Sequence, residues 1–403
     1  MNLICGRPGV LLNAPEHYGD PVNRHSSAHS EDLPPSLVPP VCKRCVMDSS
    51  DPDVSFDTSG ICNHCIAAGR ALQAVRLDPA VSQQRLQAIA AKVSRRRTKA
   101  GYDSVIGLSG GIDSSYTALL AHRLGLQPLA VHFDNGWNTD AAVSNIRSIV
   151  EHCKFDLVTL VIDWREFRDL QRSFMRAGVV DIEMLTDHAI MASMFRLARQ
   201  YGLRTVLSGT NISTEHGMPR AWVWNKQDLT NILGIHKRFG EVSIKSFPSM
   251  GHVENFLFRH ASFGWSFVEL LDVANFKRLE AIEVLKSTCG WREYGGKHCE
   301  SIFTKFHQNY ILPRKFGIDK RKVHLSALIR NCEISREQAL RELAEPLYAA
   351  DELRRDKSFV LKKLGFENEE FDRIMNQAPV PHYLYPSDKK LRDAVKAITR
   401  GLR

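Results

Sequence analysis

Residues 104–108, Ser-Val-Ile-Gly-Leu, run straight into Ser109-Gly110-Gly111-Ile112-Asp113-Ser114-Ser115, and a helical pattern follows. A short apolar run entering a two-glycine turn and then a helix is a buried strand with a phosphate-sized loop at its end. The same alternation continues downstream. Segments 128–134, 156–163 and 205–210 read as further strands, while 116–125, 141–153 and 187–203 read as helices. Apolar strands separated by helices imply βαβ units. The expected fold is therefore α/β, a doubly wound parallel sheet with helices on both faces.

The loop has its own chemistry. Two glycines let the backbone approach an anion closely, and the N–H groups opening the next helix form an anion site. Ser109, Ser114 and Ser115 add hydroxyl donors, so Ser109, Gly110, Gly111, Ser114 and Ser115 are candidate phosphate ligands. Bare phosphate would repel Asp113, so its presence points to Mg²⁺ between them. The spacing is neither a Walker loop nor a dinucleotide fingerprint. The plain alternative is a strand–turn–helix with a serine-rich cap.

Nine cysteines are an odd number, which argues against a fully paired disulfide framework. Cys42-x-x-Cys45, then 16 residues, then Cys62-x-x-Cys65 is the spacing of a closed tetrahedral Zn²⁺ site, structural rather than catalytic. His64 reads as exposed or as supporting the ligands. Buried free thiols and redox chemistry are the alternatives.

Composition sorts the remainder. Residues 1–40 hold seven of 17 prolines and read as a flexible lead-in. Residues 41–70 form the zinc module and 71–100 a linker helix, with Asp78 as N-cap and Pro79 in its first turn. Residues 101–240 are the phosphate-loop domain, and 241–403 a mainly helical region for substrate or partner. No apolar run approaches the ~20 residues of a membrane span, and the first residues do not read as a signal peptide. A cytoplasmic location is the expectation. The net charge of +9 suits an anionic partner without choosing between nucleic acid, nucleotide and acidic sugar.

SGGIDSS resembles the pyrophosphate loop of the PP-loop ATP pyrophosphatase superfamily, which includes asparagine synthetase, GMP synthetase, NAD synthetase and tRNA thiolation enzymes. That resemblance implies ATP cleavage between the α- and β-phosphates and an adenylated substrate oxygen. It also implies an adenine nucleotide alpha-hydrolase-like fold. It places Asp134, at the end of the second strand, near adenosine. It further assigns Ser208, Gly209, Thr210 and Asn211 to phosphate, and Glu215 to Mg²⁺.

The cysteine block with Val46-Met47-Asp48-Ser49-Ser50-Asp51-Pro52-Asp53 is more specific, together with Gly290-Trp291-Arg292-Glu293-Tyr294-Gly295-Gly296-Lys297-His298 and Phe316-Gly317-Ile318-Asp319-Lys320-Arg321. These blocks resemble the N-acetyl sugar amidotransferase family, the lipopolysaccharide O-antigen and flagellin-sugar enzymes that convert an acetamido group into an acetamidino group. The similarity covers about residues 41–345. Cys299 departs from the pattern, since relatives tend to carry His or Tyr there.

The implied reaction adenylates the acetamido oxygen of an N-acetylated sugar, expected to be acidic and nucleotide-linked. Ammonia then displaces AMP. Asp113, His188, Lys297, His298 and Glu300 are the candidate catalytic residues. Lys320 and Arg321 are candidate phosphate cations, against a solvated charged face. Arg220 and Trp222 are candidate sugar contacts, against a core role for the tryptophan. A built-in glutaminase has no candidate nucleophile, since Cys5 is not terminal. The family resemblance implies a separate glutaminase and a synthase-like subunit, resembling the imidazole glycerol phosphate synthase pair. Nucleic acid is the less favoured partner. The alternatives are a tRNA thiolation enzyme and a non-catalytic zinc module that binds RNA or protein.

Overall fold

The structure, a computed structural model, describes residues 40–259, 264–296, 299–390 and 392–393. The proline-rich lead-in falls outside the described residues, apart from its last residue.

Five parallel strands form one sheet. They are β1 (Ser104–Gly107), β2 (Pro128–Asp134), β3 (Leu157–Val161), β4 (Thr205–Ser208) and β5 (Ser266–Glu269), in the order β3-β2-β1-β4-β5. Register pairs Ser104 with Pro128 and Val105 with Val206. Strand order reverses direction between β1 and β4, so their carboxyl ends open a crevice where such sheets bind ligands.

Side chains alternate across a strand, and β1 feeds two cores. Ile106 packs with Ala118, Leu119, Ile146, Ile149 and Leu285 from the helices Ile112–Arg123, Asp140–Cys153 and Arg278–Cys289. Val105, its neighbour, packs on the other face with Leu197 and Ala198 of the helix Met184–Gln200. That two-sided burial is why the strand reads as a continuous apolar run. The strands and helices anticipated between 104 and 210 all form. The helix Pro79–Ser94 begins as its sequence dictates, with the Asp78 carboxylate accepting from the Ala80 N–H. β5 and the helix Arg278–Cys289 lie beyond residue 240, so the sheet and its cover draw on the stretch expected to be mainly helical.

Among the described residues no helix is long and apolar enough to cross a membrane. Because Ile106 is 1% exposed and joins the sheet to three helices, Ile106→Ala is expected to cost about 2–5 kcal/mol. Denaturant unfolding, read from the midpoint at unchanged slope, checks this.

Candidate active site and metal centre

The phosphate loop leaves β1 and turns at Gly110, whose φ is +79°. A Cβ there would lie 2.4 Å from the Ala142 carbonyl oxygen, so glycine is required both for conformation and for space. The loop is braced from within. Ser109 Oγ accepts from the Gly111 N–H at 3.2 Å, and Ser114 Oγ accepts from the Ser109 N–H at 3.3 Å. It is also braced from outside. Gly110 O accepts from Trp291 Nε1 at 3.1 Å and from Asn145 Nδ2 at 3.3 Å. Asn145 in turn holds both backbone groups of Arg292, at 2.7 and 2.9 Å. Tyr294 Oη accepts from the Ile112 N–H at 3.3 Å. Gly111 is the N-cap of the helix Ile112–Arg123 and supplies no side-chain cap, so the N–H groups that follow Ile112 in the first turn suit an anion.

A cleft of about 340 Å³ opens over this loop at the carboxyl ends of the strands. Ser109, Gly111, Asp113 and Ser114 line it from below, and His132 and Phe133 of β2 from the side. Gly209 closes tightly against the helix start, where a Cβ would sit 3.2 Å from Ser114 N. Glu215 and Glu300 also line the cleft, so it carries the three carboxylates Asp113, Glu215 and Glu300 with Arg278 nearby. Carboxylate oxygens are the donors Mg²⁺ takes, but these three do not converge on one point: among the described residues only the four module cysteines form such a cluster. Burial pushes the Tyr294 hydroxyl far up, with Glu300 and Asp113 adding to it, so it remains a neutral phenol. A second wall carries Asn138, Glu183, Thr186, Asp187 and Thr304.

The four module cysteines are buried and their sulfurs lie within 4.8 Å of one another. Cys45 Sγ is 3.6 Å from Cys62 Sγ, and Cys42 Sγ is 4.0 Å from Cys65 Sγ. A tetrahedral zinc with ~2.3 Å bonds needs sulfurs about 3.8 Å apart, so the donor set fits. Hydrogen bonds from Cys45, Cys62 and Cys65 push the Cys42 thiol down, while those same contacts push Cys65 up. Four thiols sharing protons in this way is a conflict that a cation resolves. Backbone N–H groups of Arg44, Cys45 and Cys62 point at Cys42 Sγ at 3.2–3.4 Å. His64 is no ligand; its Nε2 meets Asp51 at 2.5 Å.

Two family models match. Asparagine synthase covers residues 87–210, and the C-terminal domain of WbpG-like LPS biosynthesis proteins covers 300–399. The chain thus joins a match to an asparagine synthase-type domain with a match to a WbpG-like C-terminal domain. This bears out the resemblance drawn from the cysteine block and SGGIDSS. Among solved structures, NMN synthetase from Francisella tularensis is similar over 55% of this chain and 100% of that one, at 18% identity and a TM-score of 0.28. No curated protein sequence matches.

Several residues that the sequence nominates stand away from the cleft. His188 is fully buried. Its Nδ1 donates to Lys226 O at 2.9 Å and its Nε2 accepts from the Met250 N–H at 3.1 Å, so it is a core histidine. Burial lowers its basicity further. Arg321 is committed to Asp319 at 2.8 Å and to the carbonyls of Glu342 and Glu345. Lys320 lies behind the second wall facing Asp181 and Glu183, with its ammonium pushed down by burial, and does not line the cleft. Trp222 is buried among the cysteines and donates to Ser50 O at 3.3 Å, which rules out stacking on a sugar. Arg220, in the same short helical turn Arg220–Trp222, is outside the cleft lining.

Ser115 is buried on the inner side of its helix. Asp134 turns into the 134–138 bend, accepting from the Gly136 N–H at 2.8 Å and from Asn138 Nδ2 at 3.1 Å. Ser208 accepts from the Thr210 N–H, and Asn211 caps the turn Ile212–Glu215. That segment therefore reaches the cleft through Gly209 and Glu215. Lys297 and His298 lie outside the described residues.

Sequence reasoning picked out the 290–298 block without its role, which is to clamp the loop through Trp291 and Tyr294. It missed Asn138, Asn145, Glu183 and Thr304. Asn145 sits mid-helix, and only the contact across 147 residues reveals its part.

Gly110→Ala is expected to lose ATP binding by on the order of 100-fold while the protein stays folded, since φ and space both fail locally. Nucleotide titration by calorimetry reads it. Metal analysis is expected to find about one Zn²⁺ per chain. Cys62→Ser should lower that content and the melting temperature together, because the metal holds the module closed.

Proposed function

We propose that this protein is an ATP-dependent amidotransferase of lipopolysaccharide biosynthesis that turns the acetamido group of an N-acetylated, nucleotide-linked sugar into an acetamidino group. The observation carrying this reading is a PP-loop cleft on an asparagine synthase-type domain, joined in one chain to a WbpG-like C-terminal domain. An amide oxygen is a poor leaving group. Transferring AMP to it creates an imidate that ammonia can attack. The loop N–H groups and Ser109 and Ser114 would hold the pyrophosphate, and Arg278 adds a cation on the same wall. Asp113 and Glu215, together with the phosphates of ATP, would hold Mg²⁺, which would neutralise charge on the departing pyrophosphate. The cysteine site would hold zinc as a structural ion. His132 keeps one tautomer, donating from Nδ1 to Leu108 O at 2.9 Å and accepting from Asn138 at Nε2. It thus shapes the nucleoside side of the cleft.

Ammonia would come from a separate glutaminase working with a synthase-like subunit. The thiolation alternative has less support, because burial holds the Cys153 thiol up at about 12 and the Cys299 thiol at about 11. Such thiols are poor nucleophiles at neutral pH.

Pyrophosphate release from ATP is expected when an N-acetylated sugar nucleotide and an ammonium salt are both added, and not with tRNA plus a sulfur donor. Asp113→Ala should lower that release on the order of 100-fold or more at unchanged melting temperature. Full activity in the variant would remove Asp113 from the metal set.

A further inference from the structure

The second wall of the cleft contains a group that the phosphate chemistry does not use. We propose that Glu183 is the general base of the amidation step, taking the proton that the nitrogen nucleophile gives up as it adds to the activated carbon. This assignment rests on the amidotransferase reading above.

Among the described titratable residues that line the cleft, the others are committed elsewhere. Asp113 and Glu215 are assigned to Mg²⁺ in the proposed function, and the Glu300 carboxylate lies against the phosphate loop at Gly111. Both ring nitrogens of His132 are engaged, and Tyr294 stays protonated. Asp187 pairs with Lys226 at 3.1 Å. Glu183 stands at the N-cap of the helix Met184–Gln200 and does not cap it with its side chain.

Its surroundings are unusual. Asp181 and Asp187 are two neighbouring carboxylates on its own segment. Lys226 arrives from the loop before the helix Leu229–Phe239 and holds Asp181 at 2.8 Å. Lys320 faces Glu183 from the N-cap of the helix Arg321–Arg330, and Thr304 of the helix Ile302–Phe306 lines the cleft beside it. Buried His307 lies next to Lys320 and Lys226, in a π-helical turn, His307–Ile311, that follows the helix Ile302–Phe306 directly. With Lys226 spent on the two aspartates, burial outweighs the attraction of Lys320 and lifts the Glu183 carboxyl to about 7. A base is most useful at that value, since it is both partly ionised and strong enough to accept a proton at neutral pH.

In the proposed step, the lone pair of ammonia forms the new C–N bond to the imidate carbon. One N–H proton passes to the Glu183 carboxylate. The C–O bond to AMP then breaks, its electron pair leaving on the AMP oxygen, and Glu183 returns the proton to water.

The test separates the two halves of the reaction in the full-length protein, using ammonium chloride as nitrogen source and a panel of UDP-linked N-acetylated sugars. Sugar-dependent ATP–pyrophosphate exchange reads adenylation, and mass spectrometry of the sugar reads amidine formation. Glu183→Gln should keep exchange and lose amidine formation by about 100-fold or more. At fixed free ammonia, the unsubstituted protein should lose rate tenfold per pH unit below about 7, because only the carboxylate accepts a proton. Glu183→Asp should retain that limb at reduced rate. Parallel loss of exchange and product in Glu183→Gln, or retention of amidine formation with an unchanged pH limb, overturns the assignment. Absence of exchange in the unsubstituted protein overturns the amidotransferase reading, and the assignment with it.

Discussion

Anion binding at the start of the helix Ile112–Arg123 depends on one carbonyl being held away from it. Gly110 O accepts from Trp291 Nε1 and Asn145 Nδ2. A free carbonyl in a phosphate loop would repel the ligand the loop exists to bind. Its capture by two donors also fixes the left-handed turn at Gly110. Loop shape is thus set by residues 35 and 181 positions away. The ATP site cannot form until the segment after the helix Arg278–Cys289 has docked. The energetic logic is that of a preorganised site, where ordering is completed in folding rather than at the moment of binding.

The cysteine module is tied into the same assembly. Arg336 donates to the carbonyls of Cys42 and Cys45, Lys322 pairs with Asp48 at 2.5 Å, and Ser326 Oγ accepts from the Val46 N–H. Arg330 of the same helix as Lys322 and Ser326 donates to His216 O, one residue past the cleft carboxylate Glu215. A closed metal site here would stiffen the platform under one side of the cleft without touching the chemistry.

The sheet, its winding and the loop were legible because they are local: apolar runs with periods of two and 3.6, two glycines and a serine-rich helix start. The cysteine spacing was legible because a tetrahedral site dictates it. The candidate site was readable only where function sits on such local motifs, as at Ser109, Asp113 and Gly209. It failed where a polar residue has two roles open to it. His188 next to Asp187 looks like an oriented base, yet the carbonyl of Lys226 and the N–H of Met250 take both its nitrogens. Arg321 in a basic run looks like a phosphate clamp, yet it closes the end of a neighbouring helix. Glu183 carries no motif at all. Its character comes from burial and from three elements that meet only in the folded chain.

In the proposed reaction the acetamido oxygen attacks ATP and leaves as part of AMP. The direct measurement is to label that carbonyl oxygen with ¹⁸O in the sugar nucleotide, run the reaction with ATP and ammonium, and weigh the AMP. The label is expected in the AMP phosphate, in step with amidine formation. Unlabelled AMP accompanying amidine, or label retained in the sugar, would contradict it.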